Sequence, residues 1–212
     1  MTASHPARFI TLEGGEGAGK STHARRLCEA LNARGIGAIA TREPGGSSGA
    51  EQIRALLVEG EPNRWGAAVE TLLLFAARAD HIARTIRPAL EAGHWVVCDR
   101  FTDSTYAYQG AGRGLAPDVI RQIERASIGG FRPSLTLILD APVEEALARI
   151  DKRIHDETRF EKFERGFHER LREFFKELAR REPERCVLID TTAPAEQVAA
   201  SIWSAVAGRF GL

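Results

Sequence analysis

The sequence predicts an α/β fold, a five-stranded parallel sheet with helices on both faces. Three observations point there. Five short, largely β-branched runs are apolar almost without interruption: FITLE (9–13), IGAIAT (36–41), WVVCD (95–99), LTLILD (135–140) and CVLID (186–190). Strands of that kind are buried on both faces, as in a parallel sheet covered by helices. The segments between them follow a helical pattern. Finally, the glycine-rich stretch GGEGAGKST (14–22) joins the first run to the first helical segment.

Taken in order, Ser21 to Arg34 is rich in helix formers and reads as the helix after the first strand. Residues 66–92 read as one or two helices, with a kink or boundary at Pro88, which has no N–H to give. Gly110, Gly112 and Gly114 around Arg113 read as a flexible loop. Residues 117–128 open with Ala-Pro-Asp and continue as a helix, and 142–182 reads as two helices around the polar DKRIHDETRFE. A last helix spans 194–207, where Trp203 and the nearby Phe210 read as core or subunit packing. There is no repeat or long linker, so residues 1–212 are expected to form a single domain.

Composition narrows the function. Lys and Arg total 29, as do Asp and Glu, so the chain lacks the basic excess of a nucleic-acid wrapper. No apolar run approaches the ~18 residues of a membrane span, and the N-terminus lacks a signal-peptide pattern. Cys28, Cys98 and Cys186 are scattered, without metal-ligand spacing, and are expected as reduced core thiols of a cytoplasmic protein. Small-molecule ligands, with no nucleic acid and no membrane, are the expectation.

The glycine-rich stretch fits G-x-x-x-x-G-K-[ST] at Gly14, Gly19, Lys20 and Ser21. Its position between a strand and a helix is what the phosphate-binding loop requires. Gly14, Gly15, Glu16, Gly17, Ala18 and Gly19 would curl backbone N–H groups around the phosphates of ATP. The helix N-terminus, beginning near Lys20, Ser21 and Thr22, adds partial positive charge. Lys20 can reach the β/γ oxygens, and Ser21 can offer its hydroxyl to Mg²⁺. Glu16 is out of place in a loop that holds anions. The loop alone states nucleoside triphosphate binding, not a reaction. The N-K-x-D motif of a GTPase is absent and the chain is short for a motor, which favours a small-molecule kinase.

A second cluster, DRFTDSTYAYQG (99–110), follows the third run. Asp99 at a strand tip can hold the Mg²⁺ shell directly or through water, and Arg100 presents a planar fork suited to phosphate. Ser104, Thr105, Tyr108 and Gln109 gather hydroxyls, a phenol and an amide, the groups of a nucleobase or sugar site.

With these pieces in place the chain resembles the bacterial thymidylate kinase family, of the nucleoside monophosphate kinase type. The resemblance rests on LEGGEGAGKST, TREPGG (41–46), IRALL (53–57), FAAR (75–78), DRFTDSTYAYQG and the Arg-rich middle near 149–159, in the family's order over most of the chain. It implies a cytoplasmic homodimer that transfers the γ-phosphoryl of ATP to dTMP with Mg²⁺, and a small helical lid at about 146–163. By matching position, Arg100 would hold the dTMP phosphate and Arg78 would bond the thymine edge. Thr105 and Gln109 would line the base pocket, bordered by Glu43, Pro44 and Arg54. Tyr108 would lie under the sugar, where a 2′-hydroxyl would clash. Glu16 would turn toward the acceptor and accept from the deoxyribose 3′-OH, directly or through water or Mg²⁺. The Glu43–Pro44 bond is a candidate cis peptide.

Gly17 resembles the bacterial subtype whose catalytic arginine comes from the lid, with Arg149, Arg153 and Arg159 as candidates and Lys152 nearby. Many members carry an aromatic four residues before the thymine-reading Arg. Here that position is Leu74, so either Phe75 stacks on the base, the reading preferred here, or Leu74 gives an apolar floor. Asp190, Thr191 and Thr192 at the last strand tip are candidates to border the adenine. The alternatives are another nucleoside monophosphate kinase or, from a different class, a non-enzymatic P-loop switch. A switch should lack an acceptor pocket and a lid.

Overall fold

The structure is a computed structural model, and it describes residues 8–61, 63–150, 160–161 and 163–212. Its five strands are β1 (Phe9–Glu13), β2 (Ala38–Arg42), β3 (Trp95–Asp99), β4 (Leu135–Asp140) and β5 (Cys186–Asp190), in the order β2-β3-β1-β4-β5, all parallel. The expected fold class is correct. β2 starts two residues later than expected and ends one later, at Arg42.

Nine helices are described: α1 (Lys20–Asn32), α2 (Ser48–Val58), α3 (Ala67–His81), α4 (Arg87–Glu91), α5 (Thr102–Thr105), α6 (Pro117–Ile128), α7 (Val143–Ile150), α8 (Arg165–Arg181) and α9 (Ala195–Phe210). Two wide i→i+5 turns extend them: Ile82–Ile86 joins α3 to α4, and Tyr106–Gly112 prolongs α5. The first lies just ahead of Pro88, whose ring crowds the carbonyl four residues back, so the break expected at Pro88 is a widened turn within a continuing helix. The second corrects the loop expected at Gly110 and Gly112. The backbone stays helical to Gly112, where the missing side chain lets the turn pack directly against the Phe167 ring and Leu171 of α8. Helix α2 was not foreseen. It is capped by Ser47, whose side chain accepts from the Ala50 N–H at 3.4 Å.

The main core lies between the sheet and α1 and α9, around Leu12, Leu31, Val97, Leu137 and Ile202. The C-terminal aromatics belong to it: Phe210 meets Trp95 edge-on at 5.0 Å, and Trp203 packs beside that core under the Arg34 guanidinium. The register brings the strand tips Glu13, Arg42, Asp99, Asp140 and Asp190 to one edge. In an open parallel sheet that edge is the ligand-binding crevice.

Candidate functional site

The stretch between β1 and α1 forms a backbone cradle. Gly14 (φ 133°) and Gly17 (φ 71°) carry it: a side chain would drive into the Leu139 carbonyl at the first and the Ala146 carbonyl of α7 at the second. The first turn of α1 has neither an acidic residue nor a side-chain cap, so its N–H groups and dipole face the crevice unneutralised. Lys20 is buried and its Nζ donates to the Gly15 carbonyl at 2.5 Å. Burial, and then the neighbouring Arg100 charge, pull its pKa down to about 8. Ser21 and Thr22 are exposed toward the crevice.

Ser21 Oγ donates to Asp99 Oδ2, while Asp99 Oδ1 is buried with no hydrogen-bond partner among the described residues. A hydroxyl and a carboxylate with one unsatisfied oxygen are hard oxygen donors, and they fit Mg²⁺. That ion binds through one or two protein oxygens and fills its remaining positions with phosphates and water.

Arg100 follows β3 with φ 69°, the one positive φ outside glycine among the described residues. Its own N–H donates to Leu12 O at 2.9 Å, and the next N–H, of Phe101, donates to Glu13 Oε1 at 2.8 Å, so β1 fixes this strained turn. Glu13 is fully buried and also receives the Ser104 N–H and hydroxyl. Burial, and then the Asp103 charge, push its pKa up to about 8.

The Arg100 guanidinium meets Glu16 Oε1 at 2.9 Å, the Gly14 carbonyl at 3.1 Å and Ser104 Oγ at 3.2 Å, over the Tyr108 ring. Tyr108 donates its O–H to Glu16 Oε1 at 2.8 Å. Burial alone would raise the Glu16 pKa, but the Arg100 and Lys20 charges and the Tyr108 hydroxyl outweigh it and hold the value at about 2. The acid in the phosphate loop is therefore the counter-ion of the arginine opposite.

Beyond Arg100 lies a second pocket. Arg78 of α3 is buried, and its Nε donates to Glu43 Oε2 at 2.6 Å. Its two Nη atoms donate to Thr105 Oγ1, each at 3.2 Å, and Nη2 also to the Phe101 carbonyl at 3.1 Å. Glu43 Oε1 meets His81 Nδ1 at 3.0 Å, and His81 Nε2 meets Thr41 Oγ1 at 2.8 Å. The Glu43–Pro44 bond is cis, and Arg54 donates to the Pro44 carbonyl at 2.7 Å.

Gln109 is buried and donates its Nε2 to Glu70 Oε2 at 2.9 Å. Arg78, Glu43, Pro44, Arg54, Thr105 and Gln109 open on one cleft of about 540 Å³ that also reaches Lys20, Ser21 and Asp99, with His81 and Glu70 buried behind them.

Leu74, one helical turn before Arg78, lines the cleft, whereas Phe75 does not. Phe75 is 1% exposed, and the Arg78 guanidinium lies over its ring at 4.6 Å. The preference for Phe75 as the base-stacking residue is corrected: one residue along a helix turns the side chain by about 100°, here from cleft to core. Of the lid candidates only Arg149 lies within the described residues. Arg149 donates to the Thr191 carbonyl at 2.9 Å, beside the last strand tip. Arg153, Arg159 and Lys152 lie outside the described residues.

Sequence reasoning missed Glu13 and Glu70. Glu13 stood in view as the polar end of the first strand. Glu70, Leu74 and Arg78 follow one another at intervals of four, a single helical face that could have marked Glu70.

A phosphate loop after β1, a carboxylate at the neighbouring strand tip and a second, polar pocket sharing the cleft define a P-loop phosphotransferase of the nucleoside monophosphate kinase type. Comparison with known proteins carries this further. The family model described as thymidylate kinase matches residues 12–202. Thymidylate kinase of Caulobacter vibrioides is 54% identical over 96% of this chain and 98% of its own length. That of Rhizorhabdus wittichii is 52% identical over 95% and 98%. The crystal structure of thymidylate kinase from Ehrlichia chaffeensis superposes with a TM-score of 0.74 at 31% identity, covering 94% of this chain and 98% of that one. The chain belongs to the thymidylate kinase family.

Proposed function

We propose that this chain transfers the γ-phosphoryl group of ATP to dTMP, giving dTDP and ADP. The observation that carries the reading is the single cleft in which Lys20, Ser21 and Asp99 face Arg100 and, beyond it, Arg78, Thr105 and Gln109. A phosphate loop alone would serve a switch. A second pocket lined with hydrogen-bonding groups, separated from it by an arginine fork, serves an acceptor.

In this reading ATP phosphates occupy the loop and the α1 N-terminus. Lys20 leaves the Gly15 carbonyl for the β/γ oxygens. Ser21 and Asp99 would hold Mg²⁺, which neutralises charge on the transferring phosphates when bound. The dTMP phosphate takes Arg100, and Glu16, released from that pair, accepts from the 3′-OH. Tyr108 walls the sugar and Arg78, Thr105 and Gln109 take the base over Leu74. The acceptor is already an anion near neutral pH, so no strong general base is needed, and catalysis is positioning with charge stabilisation. A further cation would come from Arg149, Arg153 or Arg159 in the segment proposed as lid. The homodimer is likewise a proposal, supported by the exposed Leu56, Val69 and Leu72 on α2 and α3.

The test is a coupled assay of ATP consumption with dTMP, dUMP, UMP, dCMP, AMP and dGMP. Strong preference for dTMP, with dUMP behind and UMP nearly inert, is the expected result. Preference for another monophosphate would replace the substrate, and no acceptor-dependent turnover would favour a switch.

A further inference from the structure

Glu70 lies behind the base pocket and takes no part in the mechanism above, yet it is 0% exposed and both of its oxygens are engaged. Oε1 is paired with Arg113 Nη1 at 2.5 Å, and Oε2 accepts from Gln109 Nε2 at 2.9 Å. Arg113 is itself anchored, donating to the Trp65 carbonyl at 2.8 Å. An ionised carboxylate only accepts, so it selects the NH₂ end of a facing amide. Gln109 is therefore held with its carbonyl oxygen away from Glu70. That oxygen is buried and has no hydrogen-bond partner among the described residues. Gln109 lines the cleft together with Arg78. Arg78 has five N–H groups, and the four donations to Glu43, Thr105 (twice) and Phe101 leave one, on Nη1.

We propose that Glu70 sets the base preference of the site. By fixing the Gln109 amide it makes the pocket present an acceptor beside the Arg78 donor. A base edge with an N–H next to a carbonyl, as in thymine or uracil, satisfies both. An edge with a ring-nitrogen acceptor next to an amino group, as in cytosine, opposes both. A buried oxygen left unmet rejects the wrong edge more strongly than shape can. The inference rests on the base lying between Arg78 and Gln109, as in the proposed function. Glu70 acts through Gln109 and is a positioning residue.

The experiment is Glu70→Gln, with kcat/KM measured for dTMP and dCMP and KM for ATP. Arg113 only donates, so the new amide must turn its oxygen to Arg113 and its NH₂ to Gln109. Gln109 then reverses and offers NH₂ to the cleft. In the wild type, dTMP should exceed dCMP by on the order of 10³-fold or more. In the variant that ratio should contract at least about tenfold, one hydrogen-bonding mismatch moved from one base to the other, with KM for ATP unchanged. An equal loss for both substrates would mean that Glu70 only supports the fold, and would overturn the inference while leaving the base site intact. A wild type that uses dCMP as well as dTMP would overturn the placement of the base as well. Should the variant fail to fold, wild-type enzyme with 3-methyl-dTMP decides. Loss of more than about tenfold against dTMP is the expected result, and a smaller loss overturns the inference.

Discussion

The two halves of the cleft are built differently. On the base side the charged groups are already matched within the protein, Arg78 with Glu43, Thr105 and a backbone carbonyl and His81 with Glu43 and Thr41, and Gln109 is fixed by Glu70 with only its carbonyl oxygen left open. On the phosphate side the strong charges are held by substitutes. Lys20 leans on a backbone carbonyl, Arg100 on Glu16, and Asp99 keeps one oxygen unmet. The first half is preorganised for a hydrogen-bonding pattern, and ordering costs there are met on folding. The second must exchange partners when anions arrive. Substitutions on the phosphate side should therefore act on kcat, and those on the base side on acceptor KM and on stability.

The largest effect is expected for Lys20→Ala. It removes the cation that leaves the Gly15 carbonyl for the transferring phosphate, and kcat should fall on the order of 10²–10³-fold or more. Single-turnover kinetics over a range of dTMP concentrations check this, and an effect confined to a raised KM for dTMP would erase the contrast between the halves. Next in size is Arg78→Lys. A point charge cannot reproduce the planar fork that joins Glu43 to Thr105, and Glu43 would lose a partner while buried. The specificity constant for dTMP should drop about 10- to 100-fold with KM for ATP held, measured by initial rates.

Leu74 and Phe75 sharpen the comparison within one turn of α3. Leu74→Ala should raise KM for dTMP several-fold and lower the denaturation midpoint less than Phe75→Ala does. Phe75→Ala should cost about 3–5 kcal/mol of stability with a smaller change in KM, read by chemical denaturation alongside initial rates. The reverse assignment would restore Phe75 as the stacking residue.

This pair also shows what a sequence does and does not carry. The sheet was legible because continuous apolar runs report burial on both faces, and the phosphate loop because Gly14 to Ser21 must follow one geometry. The DR turn and Thr105, Tyr108 and Gln109 were legible as chemistry gathered in one short stretch. Which side of α3 faces the cleft was not, since Leu74 and Phe75 are both apolar and both within reach of the face shared with Arg78. The wide turns at 82–86 and 106–112 depend on what packs against them, as Phe167 does on Gly112. Helix α2 was obscured by Gly49 in its first turn. Glu70 looks like an ordinary surface acid until tertiary contacts bury it, and Glu13 shows only as the polar end of a strand until the Arg100 turn closes over it.

The smallest effect separates two carboxylates of the phosphate side by the sign of their pH dependence. Glu16, whose pKa falls to about 2 from an ordinary 4.5, is stabilised in its charged form by the fold. Its contribution is complete above pH 4.5 and is lost as pH drops toward 2, because the unfolded chain then takes up the proton first. Glu13, raised to about 8, is stabilised in its protonated form. Its contribution is complete below pH 4.5 and is lost as pH rises toward 8. Thermal melts of the ligand-free protein should show Glu16→Gln flattening the acid limb of the stability profile and Glu13→Gln flattening the limb between weak acid and neutral pH. Glu13 sits against the backbone of the Arg100 turn, so its amide variant keeps the acceptor for Phe101 while removing the titration. Parallel changes in both variants would show that the two carboxylates share one environment, and the division between a clamped turn and an exchangeable ion pair would fall.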